Sequence, residues 1–361
     1  MKIQILALLL LFQSFVSCQQ SQEKTLALEA NAAVQDADAN WLDLEKTLAP
    51  ATNIIFQSTD GGQSWQDISA GLPAGLQAAG FLVGDGAVYL CAEQRMRSSA
   101  GAAGRDSAMA ETFRACMYRS SAGAATPAWE REMLLDDQST TISAGATGVF
   151  AFSRSGHFFK KLSGTGVWTP VFTNFQGQAV RTVFETLDGT VFIGCDRGIF
   201  KSADQGKTWK HVFENGWVIK MVESDGVLIC TNEQGILRST DGGEHWDVVL
   251  SEGGVGIAVE RIAGGFAAIT YNTESKTRRV RISADGGKTW QPIDAGLPPH
   301  ASIASIKQVG EYFYCGHPDG IFRSADRGKT WQLILPSIGE KVFNLSVSGN
   351  VIYALPQNAG C

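Results

Sequence analysis

Charge is scarce in this chain. Of its 361 residues only 18% are Asp, Glu, Lys or Arg, while 44% are hydrophobic, a balance too apolar for a disordered polymer and ample for a buried core. The net charge is −6 and no basic stretch is longer than Lys276 to Arg281, so a nucleic-acid partner is not expected. No apolar run reaches the roughly 18 residues of a transmembrane helix. The five histidines show neither HxxH nor HExxH spacing and the seven cysteines form no CxxC pair, so neither a metal nor any other cofactor is expected. A GxSxG elbow and a Gly-rich loop between strand and helix are missing as well, which removes the serine-hydrolase and nucleotide-binding readings.

Glycine, by contrast, is abundant: 40 residues, against a usual share of about 7%. They follow no G-X-Y period, which excludes collagen and predicts many tight turns. Five segments share one pattern: Ser58-Thr-Asp60-Gly-Gly62-Gln-Ser64-Trp65, Ser202-Ala-Asp204-Gln-Gly206-Lys-Thr208-Trp209, Ser239-Thr-Asp241-Gly-Gly243-Glu-His245-Trp246, Ser283-Ala-Asp285-Gly-Gly287-Lys-Thr289-Trp290 and Ser324-Ala-Asp326-Arg-Gly328-Lys-Thr330-Trp331. The pattern S-x-D-x-G-x-[TSH]-W resembles the Asp-box, or BNR repeat, of sialidases, sortilin-type receptors, some endoglucanases and photosystem II assembly factors.

Physically the motif is a hairpin corner. An Asp carboxylate collects nearby backbone N–H groups, Gly tolerates the positive φ, and Trp folds its apolar face over the turn. One carboxylate recurring at every corner cannot be a single active site, so Asp60, Asp204, Asp241, Asp285 and Asp326, with Trp65, Trp209, Trp246, Trp290 and Trp331, are read as structural.

Two degenerate copies extend the series: Ser121 to Trp129, without the Asp, and a shortened Ser163 to Trp168. The seven Trp are then spaced by 64, 39, 41, 37, 44 and 41 residues. Removing the Ala- and Arg-rich stretch 92–114 from the first interval restores the period, so that stretch is read as an insertion in a loop. Short apolar runs between Gly corners precede each box and predict four antiparallel strands in about 41 residues, the unit of a propeller blade. The fold expected is all-β, a seven-bladed β-propeller of residues 51–361. Its last blade takes inner strands from Val342 to Val347 and Val351 to Leu355, and outer strands from Asn53 to Ser58 and Trp65 to Ile68.

The beginning of the chain reads as a targeting segment. Lys2 precedes an apolar stretch from Ile5 to Phe12, and Phe15-Val16-Ser17-Cys18 resembles the lipobox of bacterial lipoproteins, which implies lipidation at Cys18. Residues 1–18 are then a signal peptide and 19–50 a tether with one short helix. The protein is expected to be exported and lipid-anchored in the bacterial envelope, at the outer membrane or cell surface, with the membrane as one partner.

Ligands of the similar propellers use the face opposite the boxes, which implies the same for this chain. Trp217, outside the boxes and the tether, has no stapling duty and could stack on a ligand or merely pack at a blade mouth. Asp196, Arg197, Glu233, His317 and Asp319 fall in equivalent loops of three blades, and Arg95 and Arg97 in the insertion. Each also reads as an ordinary solvated loop residue. Asp196, Glu233 and Asp319 are the carboxylates available to a glycoside hydrolase, but the sialidase [FY]-R-I-P motif is missing, its nearest string being Phe113-Arg114-Ala115-Cys116. The function expected is a non-catalytic scaffold binding a protein or glycan, with a sialidase-like or endoglucanase-like hydrolase as the alternative. Cys91 and Cys116 flank the insertion on adjacent strands and could be bridged in an oxidising compartment.

Overall fold

The structure is a computed structural model describing residues 51–97, 111–135, 140–153, 158–171 and 179–358. The expected signal peptide, tether and Cys18 lie outside the described residues. Glycine corners and short apolar runs resolve into seven antiparallel sheets of four strands each, with no helix among the described residues. Blades one to six follow in chain order, spanning 76–135, 140–170, 180–213, 218–250, 253–292 and 305–336. Blade seven is closed by both ends: Val342–Ser348 and Val351–Gln357 are its inner strands, Phe56–Ser58 and Gln66–Asp67 its outer ones. Phe56 stands opposite Ala354 and Ser58 opposite Ile352. The innermost strands touch in succession, and blade seven touches blade one, so the ring has no open sheet edge at its seam.

The core is divided into seven apolar wedges, one between each pair of neighbouring blades. Phe192 and Ile199 of blade three, for example, meet Val218, Met221 and Leu228 of blade four. Each strand offers one face to either neighbour, so strands buried on both sides read as continuous apolar runs, as in Val191–Cys195.

At each intact box the Asp carboxylate binds the turn. Asp204 Oδ1 accepts from the Thr208 N–H at 2.8 Å and from Ser202 Oγ at 2.8 Å, and Oδ2 accepts from Thr208 Oγ1 at 2.7 Å. Ser202 Oγ in turn accepts the Gly206 N–H at 2.8 Å. These donors, led by the Thr208 hydroxyl, hold the Asp204 pKa down at about 2. The box glycine has no alternative: Gly243 has φ +82°, and a Cβ there would lie 2.5 Å from the Phe192 ring of the preceding blade.

Register corrects three expectations. The stretch 92–114 is not simply a loop: Ala87–Arg97 and Glu111–Ser121 pair without a break from Ala87↔Ser121 to Arg97↔Glu111, because a lengthened hairpin satisfies its own backbone groups. The same ladder sets Cys91 opposite Met117 and Cys116 opposite Ala92. Side chains alternate between sheet faces, so the two thiols point apart, Cys91 into the wedge shared with blade two and Cys116 into that shared with blade seven. They are not bridged. Finally, the degenerate box of blade two is full length. Lys161 stands opposite Val149, as Ser202 stands opposite Val191, and Trp168 follows it by seven positions. In blade one Ser120, opposite Val88, takes the serine position.

Candidate functional site

Because each blade runs up and down, the boxes share one face with the turns between first and second strands. The turns between second and third strands, and the links between blades, open on the other. On that loop face the last residue of the second strand repeats one task. Cys195 Sγ accepts the Arg197 N–H at 3.5 Å, Asn232 Oδ1 the Gln234 N–H at 2.9 Å, and His317 Nδ1 the Asp319 N–H at 3.0 Å. Asn232 also donates from Nδ2 to the Asn215 carbonyl at 2.8 Å, and His317 bonds through Nε2 to the Pro298 carbonyl at 2.9 Å, each tying its turn to the link entering the blade. His317 is 0% exposed, and burial holds its pKa below the ordinary value despite the neighbouring Pro298 carbonyl and Asp319. It is a neutral turn latch inside the blade, which corrects the expectation that it meets a ligand.

Trp217 belongs to a cluster. The guanidinium of Arg181, on the innermost strand of blade three, lies 5.2 Å from the centroid of the half-buried Trp217 ring, a cation–π distance. Arg181 Nε donates to Asp196 Oδ1 at 2.5 Å. Asp196 is therefore an ion-paired carboxylate that orients the cation under the indole. Arg197 is exposed, and its carbonyl contacts His211 Nε2 at 3.0 Å. Glu233 and Asp319 are exposed at the turn tips of blades four and six. Among the described residues no hydrogen bond or ion pair joins Asp196, Glu233 and Asp319 to one another. Arg95 and Arg97 pair through their backbones with Phe113 and Glu111, and their side chains lie outside the described residues.

Sequence reasoning missed Arg181, and it also missed a chain of charges on the innermost strands of blades four, five and six. Glu260 Oε1 accepts from Lys307 Nζ at 2.5 Å and also from Lys220 Nζ. Burial raises the Glu260 pKa, but the two lysines more than offset it and leave it below the usual carboxylate value. Burial pushes the Lys307 ammonium down to about 8 against the pull of Glu260. A signal existed: three charged residues on innermost strands that are otherwise largely apolar.

A cavity of about 380 Å³ opens on the box face between blades three and four, lined by Thr186, Asp188, Thr190, Lys201 and Glu223 among others. Burial raises the Glu223 pKa, and the Asp188 charge adds to this. Hydrogen bonds from Thr186 Oγ1 and the Thr190 N–H lower that of Asp188.

Fold and turns together define an Asp-box β-propeller. The repeat itself is matched by two family models, the BNR-Asp box repeat over residues 321–334 and the BNR/Asp-box repeat over 281–292. No curated protein matches the chain. Among solved structures, a GH74 xyloglucanase from Xanthomonas campestris is similar at 15% identity and a TM-score of 0.55, over 81% of this chain and 53% of its own. An ancestral GH74 enzyme is similar at 12% identity and a TM-score of 0.54, over 84% and 45%. YCF48 bound to D1 peptide is similar at 13% identity and a TM-score of 0.48, over 67% and 89%. The chain thus spans about half the length of the two GH74 enzymes.

Proposed function

We propose that the chain is a non-catalytic, exported and lipid-anchored propeller that binds a protein or glycan ligand through its loop face, with Trp217 as the contact plate. The observation that supports this reading is the Arg181 guanidinium set between Trp217 and Asp196. The ion pair holds the Arg181 guanidinium against the indole and at the same time engages Asp196, one of the three carboxylates. Glycoside hydrolysis needs a protonated acid and a second carboxylate across one bond, whereas Asp196 is ion-paired with Arg181 and Glu233 and Asp319 stand exposed on turns of two other blades. A half-exposed indole suits stacking on a sugar ring or an apolar side chain. Cys18 would carry the lipid, and residues 19–50 would hold the propeller off the membrane.

The test is a glycan array together with pull-down from a membrane fraction. Trp217→Ala should weaken the captured ligand roughly tenfold or more, while Asp319→Asn leaves it unchanged. Turnover of an oligosaccharide that is lost in Asp196→Asn or Glu233→Gln would overturn the reading. Acylation is checked separately, by the loss of radiolabelled fatty acid in Cys18→Ala.

A cell-surface glycoside hydrolase is the second reading, and the cavity on the box face is what favours it. There Glu223 and Asp188 have pKa values displaced in opposite directions, the relation an acid and its partner carboxylate require. This version predicts hydrolysis abolished by Glu223→Gln. A chain that cleaves no oligosaccharide eliminates it.

A further inference from the structure

One position in the blade repeats a single duty around the ring. The third-strand residue just before the box serine, or before its counterpart, reaches into the next blade. Lys160 of blade two binds Glu185 of blade three at 2.6 Å, and Lys201 of blade three binds Glu244 of blade four at 2.6 Å. Arg238 of blade four donates to the Gly286 carbonyl of blade five at 2.6 Å, and Arg323 of blade six to the Gly61 carbonyl of blade seven at 3.1 Å. Gln57 of blade seven donates to the Ala124 carbonyl of blade one at 3.0 Å. Blade five has the apolar Ile282 here. Blade one has Arg119, opposite Tyr89 on the ladder, and Arg119 Nε and the Tyr89 hydroxyl are buried with no hydrogen-bond partner among the described residues.

The junction of blades six and seven shows what this pair accommodates. It has the same two residue types in the same register, Arg323 opposite Tyr314, and both donate to one oxygen, the Gly61 carbonyl, at 3.1 and 3.0 Å. Gly61 follows its box serine by three positions, and a Cβ on it would lie 3.5 Å from the Tyr314 hydroxyl. The counterpart in blade two is Gly164, three positions after Lys161. A Cβ on Gly164 would meet nothing within 4 Å. Blade two has lost the box Asp and Ser that draw the turn inward, and Leu162 and Val167 in it are exposed. Lys161 itself is spent on Glu132 and lies 5.6 Å from the Tyr89 ring centroid. Tyr89 is 0% exposed, and leaving two such donors unsatisfied is costly.

We propose that the junction of blades one and two is a carboxylate-binding site in which a ligand oxygen fills the role that the Gly61 carbonyl has between blades six and seven, accepting from Tyr89 Oη and from the Arg119 guanidinium through Nε, where Arg323 uses Nη1. A carboxylate suits it better than a neutral carbonyl because the Arg119 charge has no anionic partner among the described residues. Glu130, opposite Arg119 on the ladder, is exposed and makes no ion pair with it. The half-buried Arg119 side chain gives the approach from solvent. The site is independent of Trp217, which belongs to the opposite face.

The test uses the full chain with ¹⁵N-labelled arginine, the Arg119 Nε–H signal being assigned by its loss in Arg119→Met. Sodium acetate is titrated against sodium chloride at constant ionic strength. The expected result is a saturable shift of the Arg119 signal, with affinity weakened roughly fivefold or more in Tyr89→Phe and no response from the Arg323 signal. A melting curve establishes that Tyr89→Phe is folded. A shift that does not saturate, or one equal in Tyr89→Phe, overturns the proposal. So does binding that emerges only in Glu130→Gln, which would mean that Glu130 fills the site itself, or an acetate-soaked crystal in which water alone bridges Tyr89 and Arg119.

Discussion

His317 shows how one repeat position solves a problem with different side chains. The turn needs an acceptor for the N–H two residues on, and the link needs a donor to its carbonyl. Neutral imidazole and carboxamide supply both, as His317 and Asn232 do. The choice has a consequence in acid. Because the buried imidazole has a lowered pKa, the unfolded chain takes up this proton first as pH falls below about 6.5. The stability tied to neutral His317 is therefore complete above that pH and is lost progressively beneath it. His317→Asn should keep the fold and flatten the decline below about pH 6.5, read as denaturant midpoints as the pH is lowered. An unchanged slope would assign the decline to other groups. The sequence reading put His317 in a loop, whereas it is the last paired residue of the second strand and points inward, since facing depends on where the ladder ends.

Charges on the innermost strands act between elements. Lys220, Glu260 and Lys307 come from three consecutive blades, and one carboxylate serves two ammonium groups. Burying such a set is not in itself strongly stabilising, but removing its centre leaves like charges facing each other with no counterion. Glu260→Gln should cost about 3 kcal/mol or more, whereas Lys220→Met, which leaves the Glu260–Lys307 pair intact, should cost markedly less; denaturant titration at pH 7 compares the two. Residues this distant in sequence meet only because strands of equal rank converge on the axis. That is why the seven-bladed ring was legible from Trp spacing while the triad and Arg181 were not. The box turns were legible for the opposite reason, since the bonds made by the box Asp and Ser side chains span no more than four residues of the chain. Where a box decays, the sequence misleads: Ser163 looks like the serine of blade two, yet the ladder gives that place to Lys161.

The whole molecule depends on one seam that the chain does not cross. Six blades are continuous segments, while blade seven is held by the pairing of Phe56–Ser58 with Val351–Gln357 and by the bonds of Tyr314 and Arg323 to Gly61. Those last two bonds tie the N-terminal strand to blade six and so reinforce the closure from outside blade seven. Arg238 makes the equivalent bond to Gly286 between blades four and five, where an unbroken chain already joins them. Removing either Arg side chain should cost a similar amount, about 1–2 kcal/mol, but the consequences should differ. Arg323→Met should make residues 51–68 the first to exchange amide hydrogens and the first to be cleaved by protease, because release of that strand exposes a sheet edge. Arg238→Met should lower stability without selectively exposing any terminal segment. Hydrogen exchange followed by mass spectrometry distinguishes the two. Equal protection of residues 51–68 in both variants would mean that strand pairing alone carries the closure and that the Gly61 bonds add nothing specific to the seam.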